Sequence, residues 1–239
     1  LTLAGMSGSS MALAQDITGA GSTFIYPVLA AWAQKYHQLK HIKVNYQPIG
    51  SGGGLRQIKA GTVDFAASDM PLTEQQLQQR HLAQFPMIVG GIVPIVNIAG
   101  IKNTELTLDG NVLAAIFEGK ITYWNDAAIT TLNPGVTLPH ARIISVHRAD
   151  GSGTTFNFTN YLDKVSPSWR KKVGFSTVVD WPGFGIGAKG NAGVASEVMH
   201  IPNAIGYVEY AYALQNHLTT IKMVNQSGHA VVANAASFA

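Results

Sequence analysis

The residues best suited to chemistry form one stretch in the middle of the chain, His147-Arg148-Ala149-Asp150-Gly151-Ser152-Gly153-Thr154-Thr155. It follows the apolar run 143–146, which predicts a short strand, and it precedes an amphipathic helix predicted over 156–165. A glycine-containing turn at a helix start leaves backbone N–H groups without partners, and the helix dipole adds positive potential there. The Arg148 guanidinium matches the geometry of a tetrahedral oxyanion, and the hydroxyls of Ser152 and Thr154 add donors. The stretch predicts an anion-binding turn; the alternative is simple helix capping by Asp150 or Ser152.

Two earlier turns repeat the pattern. The segment 19–24, Gly-Ala-Gly-Ser-Thr-Phe, lies between a short predicted strand and a helix that begins near Pro27. The segment 49–54, Ile-Gly-Ser-Gly-Gly-Gly, lies between a strand predicted at 44–46 and a helix predicted at 55–60. Each turn alone could be an ordinary N-cap or tight turn. Together, three turns with N–H and O–H donors supply what a dehydrated oxyanion needs.

Two carboxylates stand beside these donors. A carboxylate accepts hydrogen bonds but cannot donate them, so it fits near an anion only beside a cation or a protonated ligand oxygen. For Asp150 the cation can be Arg148, two residues away. Asp69 follows a strand predicted at 63–68 and has no such neighbour, so it requires a ligand that carries a proton. Phosphate carries an O–H at neutral pH and sulfate does not.

The elements that must position these residues alternate along the chain, which indicates an α/β fold with largely parallel sheets. In such sheets ligands bind at the carboxyl ends of strands, where all three glycine turns fall. Thr73 and Gln76 predict a capping box for a helix through Gln79. Further predictions are strands within 85–98, at 177–181 and at 204–208, and helices at 112–117, from Trp124 to Leu132, at 191–199 and at 210–215.

Composition excludes several classes of function. The chain has 239 residues, 46% of them hydrophobic and 12% charged, which is enough to bury a sizeable core. The net charge is only +3 and the basic residues are dispersed apart from 170–172, which argues against nucleic-acid binding. There is no cysteine, which excludes thiol catalysis, disulfides and Cys-ligated metals, and the eight histidines show no metal-ligand spacing.

The N-terminal residues have the character of a secretory signal. Residues 1–14 are uncharged and largely small or apolar, and Ala12-Leu13-Ala14 before Gln15 has the small-x-small form of a cleavage site. We therefore expect 1–14 to be the remainder of a signal peptide and the protein to be secreted. The alternative is an N-terminal tail without a targeting role.

A competing motif lies at 185–190, where Gly-Ile-Gly-Ala-Lys-Gly satisfies G-x-G-x-x-G and Glu209 follows at the spacing of a dinucleotide-binding site. It allows an NAD-dependent oxidoreductase as an alternative function. Pro182-Gly183-Phe184 separates the glycines from the predicted strand, which weakens this interpretation. The same segment does not form a P-loop, because Ala188 and Gly190 replace the required residues. Ser51 and Ser152 do not complete G-x-S-x-G, which argues against a serine hydrolase.

The chain resembles the periplasmic phosphate-binding proteins of phosphate-specific ABC transporters, which are PstS-like type II periplasmic binding proteins. The resemblance runs from Ile17 to about Phe238, so it covers nearly everything after the expected signal. Its marks are the segments Thr18-Gly19-Ala20-Gly21-Ser22-Thr23-Phe24, Asn45-Tyr46-Gln47-Pro48-Ile49-Gly50-Ser51-Gly52-Gly53, Val63-Asp64-Phe65-Ala66-Ala67-Ser68-Asp69, Arg148-Ala149-Asp150-Gly151-Ser152-Gly153-Thr154 and Ala204-Ile205-Gly206-Tyr207-Val208-Glu209-Tyr210.

The resemblance implies two α/β lobes that close on one dehydrated phosphate, with no cofactor, no metal and no catalysis. It implies that Thr23 donates its hydroxyl, Phe24 its backbone N–H, and Ser51 both groups. Asp69 would accept the phosphate proton, and Arg148 would pair with the anion while Asp150 holds it. The second lobe would complete the site with Ser152, Gly153 and Thr154.

The resemblance also implies a domain division and partners. We expect an incomplete N-terminal lobe over 15–88 and a second lobe over 89–239, because family members continue with a segment that returns to the first lobe. Without that segment, strands of the first lobe would have an exposed edge. Family members usually carry Arg at the position of His147, so we expect a weaker local field here. The expected protein is a periplasmic monomer that delivers phosphate to the permease of an inner-membrane ABC transporter; a binding protein for sulfate or molybdate is the alternative.

Overall fold

The computed structural model describes residues 16–238, so the predicted signal-peptide remnant lies outside the described residues. The first sheet consists of β1 (Ile17–Gly21), β2 (Val44–Gln47) and β3 (Phe65–Ala67) in the order β2-β1-β3, with both pairs parallel. Helices α1 (Tyr26–Lys40) and α2 (Ser51–Lys59) connect the strands, and α3 (Glu74–Arg80) follows β3. Both predicted strand–turn–helix units of this region are confirmed.

Helix α2 begins at Ser51, four residues before the predicted start. Gly50 makes the preceding turn with φ +84°, a backbone conformation that glycine adopts without steric cost. The next glycines belong to the first turn of the helix and let it approach β1 closely. A Cβ at Gly54 would overlap the Cα of Gly21, the last residue of β1. Close packing of glycines therefore brings the N-terminus of α2 to the carboxyl end of β1.

The second sheet has the order β7-β6-β8-β4-β9. Strands β6, β7 and β8 are parallel, whereas β4 is antiparallel to both β8 and β9, so this sheet is mixed rather than largely parallel as predicted. A small third sheet has the order β11-β10-β5. These strands are β4 (Ile92–Asn97), β5 (Thr107–Leu108), β6 (Ile144–Arg148), β7 (Gly185–Ala188), β8 (Ala204–Glu209), β9 (Thr219–Thr220), β10 (Lys222–Val224) and β11 (Ala230–Val231).

Helices cover both faces of the second sheet. They are α4 (Gly110–Phe117), α5 (Ala127–Leu132), α6 (Gly153–Val165), α7 (Pro167–Lys172), α8 (Gly190–His200) and α9 (Tyr210–Gln215). One core cluster, with the fully buried Trp124, Trp169 and Tyr207, lies on one face, and a second cluster around Val194 and Val198 lies on the other. Burial on both faces fixes the position of β6 and of the residues that follow it.

Helix-start signals in the sequence are largely confirmed. Thr73 Oγ1 accepts a hydrogen bond from the Gln76 backbone N–H at 3.3 Å, and the Gln76 side chain accepts one from the Thr73 N–H at 3.0 Å. Pro27 lies in the first turn of α1. Helix α6 begins at Gly153 rather than at 156, because Ser152 caps it by accepting from the Thr155 N–H at 2.9 Å.

Two predicted features of the second region were wrong, and the strand pairing argues against the dinucleotide-binding alternative. Residues 177–181 are not a strand; the Trp181 ring packs against the buried Trp169 and Tyr207 rings. Trp124 precedes its helix, which begins only after Asp126 as N-cap. The first glycines of the G-x-G-x-x-G motif form strand β7, which pairs with β6. The first glycines of the motif therefore lie in a paired strand and not in the turn after it, where dinucleotide binding requires them, and the NAD-dependent alternative is withdrawn.

Over 16–238, no helix has both the length and the apolar character needed to cross a membrane. In the same part of the chain, no group of three or more His, Asp or Glu side chains is arranged to hold a metal ion.

Candidate anion-binding site

An ion pair lies at the carboxyl end of β6. Arg148 donates from Nε to Asp150 Oδ1 at 2.7 Å and from Nη2 to Asp150 Oδ2 at 2.5 Å. Burial alone would raise the pKa of Asp150, but the hydrogen bonds and charge of Arg148 outweigh it, so this pKa lies below its ordinary value. The Gly190 N–H also donates to Asp150 Oδ1 at 3.0 Å. Asp150 therefore stays ionised and fixes the plane of the buried guanidinium.

Two threonine hydroxyls lie on the other side of this guanidinium. Arg148 Nη1 is 3.5 Å from Thr23 Oγ1 and 3.5 Å from Thr154 Oγ1. Thr23 follows β1, and Thr154 is in the first turn of α6, so the contact joins the ends of strands from two different sheets. All three side chains are buried. The anion-binding turn at 147–155 and the turn at 19–24 thus meet in space.

The third turn reaches the same place through Ser51. Ser51 is buried at the start of α2, and its Oγ accepts from the Asp69 N–H at 3.2 Å. The Gly52 N–H donates to the Gly151 carbonyl at 2.9 Å, which ties α2 directly to the turn after β6. Gly153 completes this contact, because a Cβ there would lie 2.5 Å from Ser51 Oγ and 2.7 Å from Asp69 Oδ2. Only glycine allows so close an approach.

Asp69 differs from every other polar group around it. Its Oδ2 is sealed from solvent and has no hydrogen-bond partner among the described residues. Burial raises the pKa of Asp69 to about 6, although Ser22, Arg148 and Ser51 act in the opposite direction. A buried oxygen without a partner is costly, so such a group indicates either strain or a bound donor. Here the acceptor lies near the Ser22 and Ser51 hydroxyls and the Arg148 guanidinium.

The structure brings eight of the nine predicted site residues into this cluster through the contacts above: Thr23, Ser51, Asp69, Arg148, Asp150, Ser152, Gly153 and Thr154. Phe24 follows Thr23 directly, but its N–H donates to Ser22 Oγ at 3.0 Å. The Ser152 hydroxyl, likewise, accepts the capping hydrogen bond of α6, although its own hydrogen is still able to donate. The roles of individual residues toward an anion stay predictions.

Sequence reasoning missed Asn191, which is fully buried at the start of α8. Its Nδ2 donates to Thr23 Oγ1 at 2.8 Å and to Thr154 Oγ1 at 3.3 Å, and its Oδ1 accepts from the Glu209 N–H at 3.0 Å. The signal was present, since Gly190-Asn191 is a fourth glycine-and-polar turn between a strand and a helix. The G-x-G-x-x-G pattern directed attention to the glycines instead.

Three tyrosines, also not predicted, support the backbone of the site; Tyr207 and Tyr212 are buried and Tyr46 is half-buried. Tyr212 donates its hydroxyl to the Thr23 carbonyl at 2.7 Å, and Tyr46 donates to the Ser22 carbonyl at 2.8 Å. The Arg148 N–H donates to the Tyr207 hydroxyl at 3.2 Å. Desolvation raises the pKa of Tyr207 to about 12, so this residue stays neutral. These contacts fix the ends of β1 and β6 without adding charge.

His147 lies on the opposite face of β6 from Arg148, as the alternation of a strand requires. Its ring stacks on Trp181 with centroids 4.8 Å apart. Burial lowers the pKa of His147, so the side chain is neutral at neutral pH. His147 thus contributes no positive charge to the site.

Comparison of the sequence with known proteins identifies the family. A family model described as a PBP superfamily domain matches residues 8–237. The phosphate-binding protein PstS of Haemophilus influenzae is 54% identical over 227 residues, which cover 95% of this chain and 68% of the relative. This chain belongs to the PstS family of the PBP superfamily. The PstS protein of Xylella fastidiosa is 55% identical over 223 residues, and this chain, matched over 93% of its own length, spans only 61% of that relative.

Solved structures show that the fold is that of type II periplasmic binding proteins. A high-affinity periplasmic phosphate-binding protein bound with phosphate, PfluDING, matches with a TM-score of 0.69 at 22% identity, over 93% of this chain and 66% of its own. A phosphate-binding protein from Stenotrophomonas maltophilia matches with a TM-score of 0.67 at 19% identity, over 93% and 71%. At such low identities these matches establish the fold alone, and the PstS assignment rests on the sequence relatives.

Proposed function

We propose that this chain binds inorganic phosphate at the site formed by Arg148, Asp69 and the threonine hydroxyls. The observation that carries the proposal is the buried Asp69 Oδ2, an acceptor without a partner among the described residues and inside a cluster of donors. A ligand that satisfies the whole cluster must accept many hydrogen bonds and donate one. Phosphate at neutral pH meets this requirement. Sulfate and molybdate carry no proton there and would meet the Asp69 carboxylate with like charge.

Each site residue has a distinct role in this proposal. Arg148 pairs with the anion, and Asp150 holds the guanidinium in the orientation that this pairing needs. Asp69 accepts the phosphate proton. The remaining groups donate hydrogen bonds, and they are the hydroxyls of Thr23, Ser51, Ser152 and Thr154 and the backbone N–H groups of Phe24, Ser51 and Gly153. Of these, the Phe24 N–H must exchange its present acceptor, Ser22 Oγ, for the anion. Neutral donors dominate, which lets the site hold a dehydrated anion without a large excess of positive charge.

Two lobes, 15–88 and 89–239, are proposed to close around the ligand. The first sheet comes from the earlier segment and the second sheet from the later one, which supports this division. Hydrogen bonds cross between the segments at the site itself: the Gly52 N–H to the Gly151 carbonyl at 2.9 Å, and Asn157 Nδ2 to the Asp69 carbonyl at 2.8 Å. Binding would favour the closed arrangement by adding ligand contacts to both sides.

The proposed physiological role is delivery rather than catalysis. We expect the protein to act as a monomer in the periplasm, after removal of the N-terminal signal, and to pass phosphate unchanged to the permease of an inner-membrane ABC transporter. The supporting observations are membership of the PstS family and the name phosphate-binding protein carried by relatives at 54% and 55% identity.

Calorimetric titration of the 239-residue chain with phosphate and with sulfate at pH 7.5 tests the proposal. Phosphate is expected to bind with one ion per chain, and sulfate to compete only at far higher concentration. In Asp69→Asn the amide can donate as well as accept, so this variant is expected to lose much of its preference for phosphate. Equal affinity of the unaltered chain for the two anions would refute the role of Asp69, and no phosphate binding would refute the function.

A further inference from the structure

Asn191 stands between the two threonine hydroxyls that flank Arg148. The side-chain amide is oriented unambiguously, because its Oδ1 accepts from the Glu209 backbone N–H at 3.0 Å and an amide nitrogen could not do so. Its Nδ2 therefore faces the hydroxyls, with one hydrogen for Thr23 Oγ1 at 2.8 Å and one for Thr154 Oγ1 at 3.3 Å. A single buried group thus reaches a residue from each of the two proposed lobes.

A hydroxyl has two acceptor positions and one hydrogen. Thr23 Oγ1 receives both the Asn191 side-chain N–H and the Asn191 backbone N–H, the latter at 3.2 Å. Thr154 Oγ1 receives the other Asn191 hydrogen, and each hydroxyl also lies 3.5 Å from Arg148 Nη1. Asn191 alone fills both acceptor positions of the Thr23 hydroxyl and one acceptor position of the Thr154 hydroxyl, so the hydrogen of each hydroxyl must point away from Asn191.

We infer that Asn191 is a positioning residue that directs the hydroxyl hydrogens of Thr23 and Thr154 toward the bound anion. The inference rests on the proposed function and deepens it. The Arg148 contacts are at the long limit of a hydrogen bond, so Arg148 can turn its Nη1 hydrogens to an anion. Asn191 cannot turn, since Glu209 holds its other end. Asn191 therefore keeps the hydroxyl hydrogens directed at the anion when Arg148 is engaged.

Asn191→Asp is the decisive variant, because it keeps the shape of the side chain and reverses the hydrogen bonds. The ionised carboxylate of this variant would accept from both hydroxyls, withdraw their hydrogens from the site and add a negative charge. The expected loss of phosphate affinity at pH 7.5 is on the order of 100-fold. The protonated carboxyl can again donate, so the ratio of variant to unaltered affinity is expected to recover as the pH falls from 8 toward 5.

The affinity ratio is needed because other groups around this position also titrate or carry charge. They are Arg148 at the end of β6 and Asp150 after it, Asp69 after β3, Glu209 at the end of β8, Tyr212 on α9 and Lys189 before α8. These groups are present in both proteins, and phosphate itself changes protonation equally for both, so the ratio cancels their direct contributions. A recovery in the ratio would report the group at position 191.

Asn133→Asp is the matched control. Asn133 is also buried, its Oδ1 accepts from the Thr107 backbone N–H at 2.7 Å, and its Nδ2 donates to two carbonyls at 2.8 Å, but it lies in the core around β5 and α5. This variant is expected to lose stability while phosphate affinity stays within about twofold of the unaltered chain.

Asn191→Ala removes the donors without adding charge and tests the inference if Asn191→Asp does not fold. We expect a loss on the order of 10-fold in affinity, with no change in the affinity ratio with pH. Unchanged affinity in either variant, or a pH-independent loss in Asn191→Asp, would overturn the role of Asn191 while the function stands. Failure of the unaltered chain to bind phosphate at any pH would instead overturn the proposed function, and this inference with it.

Discussion

Asp69 and Asp150 follow two different strands, and their surroundings shift their pKa values in opposite directions. Asp150, after β6, has both oxygens on Arg148, and its pKa is lowered. Asp69, after β3, has one oxygen without a partner among the described residues, and burial raises its pKa to about 6. The first carboxylate is satisfied by the protein and serves to orient a cation. The second has an oxygen free to accept from a ligand, and in the proposed function its cost to the free protein is the source of selectivity for a protonated anion.

The largest expected effect is a loss of stability when Asp150 is replaced. Asp150→Ala leaves the buried Arg148 charge without its partner, which typically costs about 3–5 kcal/mol. Urea unfolding at pH 7.5 should show a loss of free energy of this size. Asp163→Ala is the control, because its pair with Arg170 is long, at 3.3 Å, and the arginine is exposed, so the change should stay within about 1 kcal/mol. Similar losses in the free energy of unfolding of the two variants would show that Asp150 does not stabilise the fold through its pairing with the buried Arg148.

The effect at Asp69 has the opposite sign. Its folded pKa is raised from 3.8 to about 6, so the unfolded chain ionises first and this group destabilises the folded state as the pH rises through that window. At about 1.4 kcal/mol per pKa unit the cost above pH 6 is about 3 kcal/mol. Asp69→Asn should therefore be more stable than the unaltered chain at pH 7.5 without ligand, and the gain should disappear near pH 4.

Stability curves of both proteins from pH 4 to 8, without phosphate, measure this difference. A gain that is independent of pH would show that Asp69 is not the titrating group. The pair of Asp150 with Arg148 gives a contrasting control, because the folded pKa of Asp150 is lowered. This pair stabilises the folded state at pH values above the ordinary pKa of an aspartate, and the stabilisation is lost as the pH falls through the folded pKa.

Gly153 allows the start of α6 to lie against Ser51 and Asp69, and Gly153→Ala should separate these segments. The added Cβ would lie 2.5 Å from Ser51 Oγ and 2.7 Å from Asp69 Oδ2, so either the serine and aspartate or the start of α6 must move. Overpacking of this kind costs about 1–3 kcal/mol. We expect most of this cost to be measured as a loss of phosphate affinity of at least about 10-fold. Gly193→Ala in α8 is the control, because its nearest neighbours would be 3.6 Å away. Equal affinities of the two alanine variants would contradict a role for this close approach.

The sequence sufficed to identify the donors, because strand–turn–helix units with glycine and hydroxyl residues have a local signature. It also identified the conflict that a carboxylate creates beside an anion. It also predicted from local spacing that Asp150 pairs with Arg148, but it could not show that the Asp69 oxygen is buried close to Gly153, since that depends on contacts between segments about 80 residues apart in the sequence. The Gly185 motif failed for a related reason: a β-strand that packs closely on Ser145 also requires glycine, and no local rule separates the two uses.

The smallest expected effect concerns His147, where the resemblance predicted a weaker field than the arginine of other family members would give. The structure supplies a physical reason for expecting little change at all. The His147 ring is neutral at neutral pH, stacks on Trp181 and lies across the strand from the Arg148 side chain. His147→Gln should therefore alter phosphate affinity less than about threefold at pH 7.5, with any loss appearing in stability through the lost stacking. Calorimetry and urea unfolding of the variant separate the two quantities. A large loss of affinity at unchanged stability would mean that the far face of β6 contributes to the anion site after all.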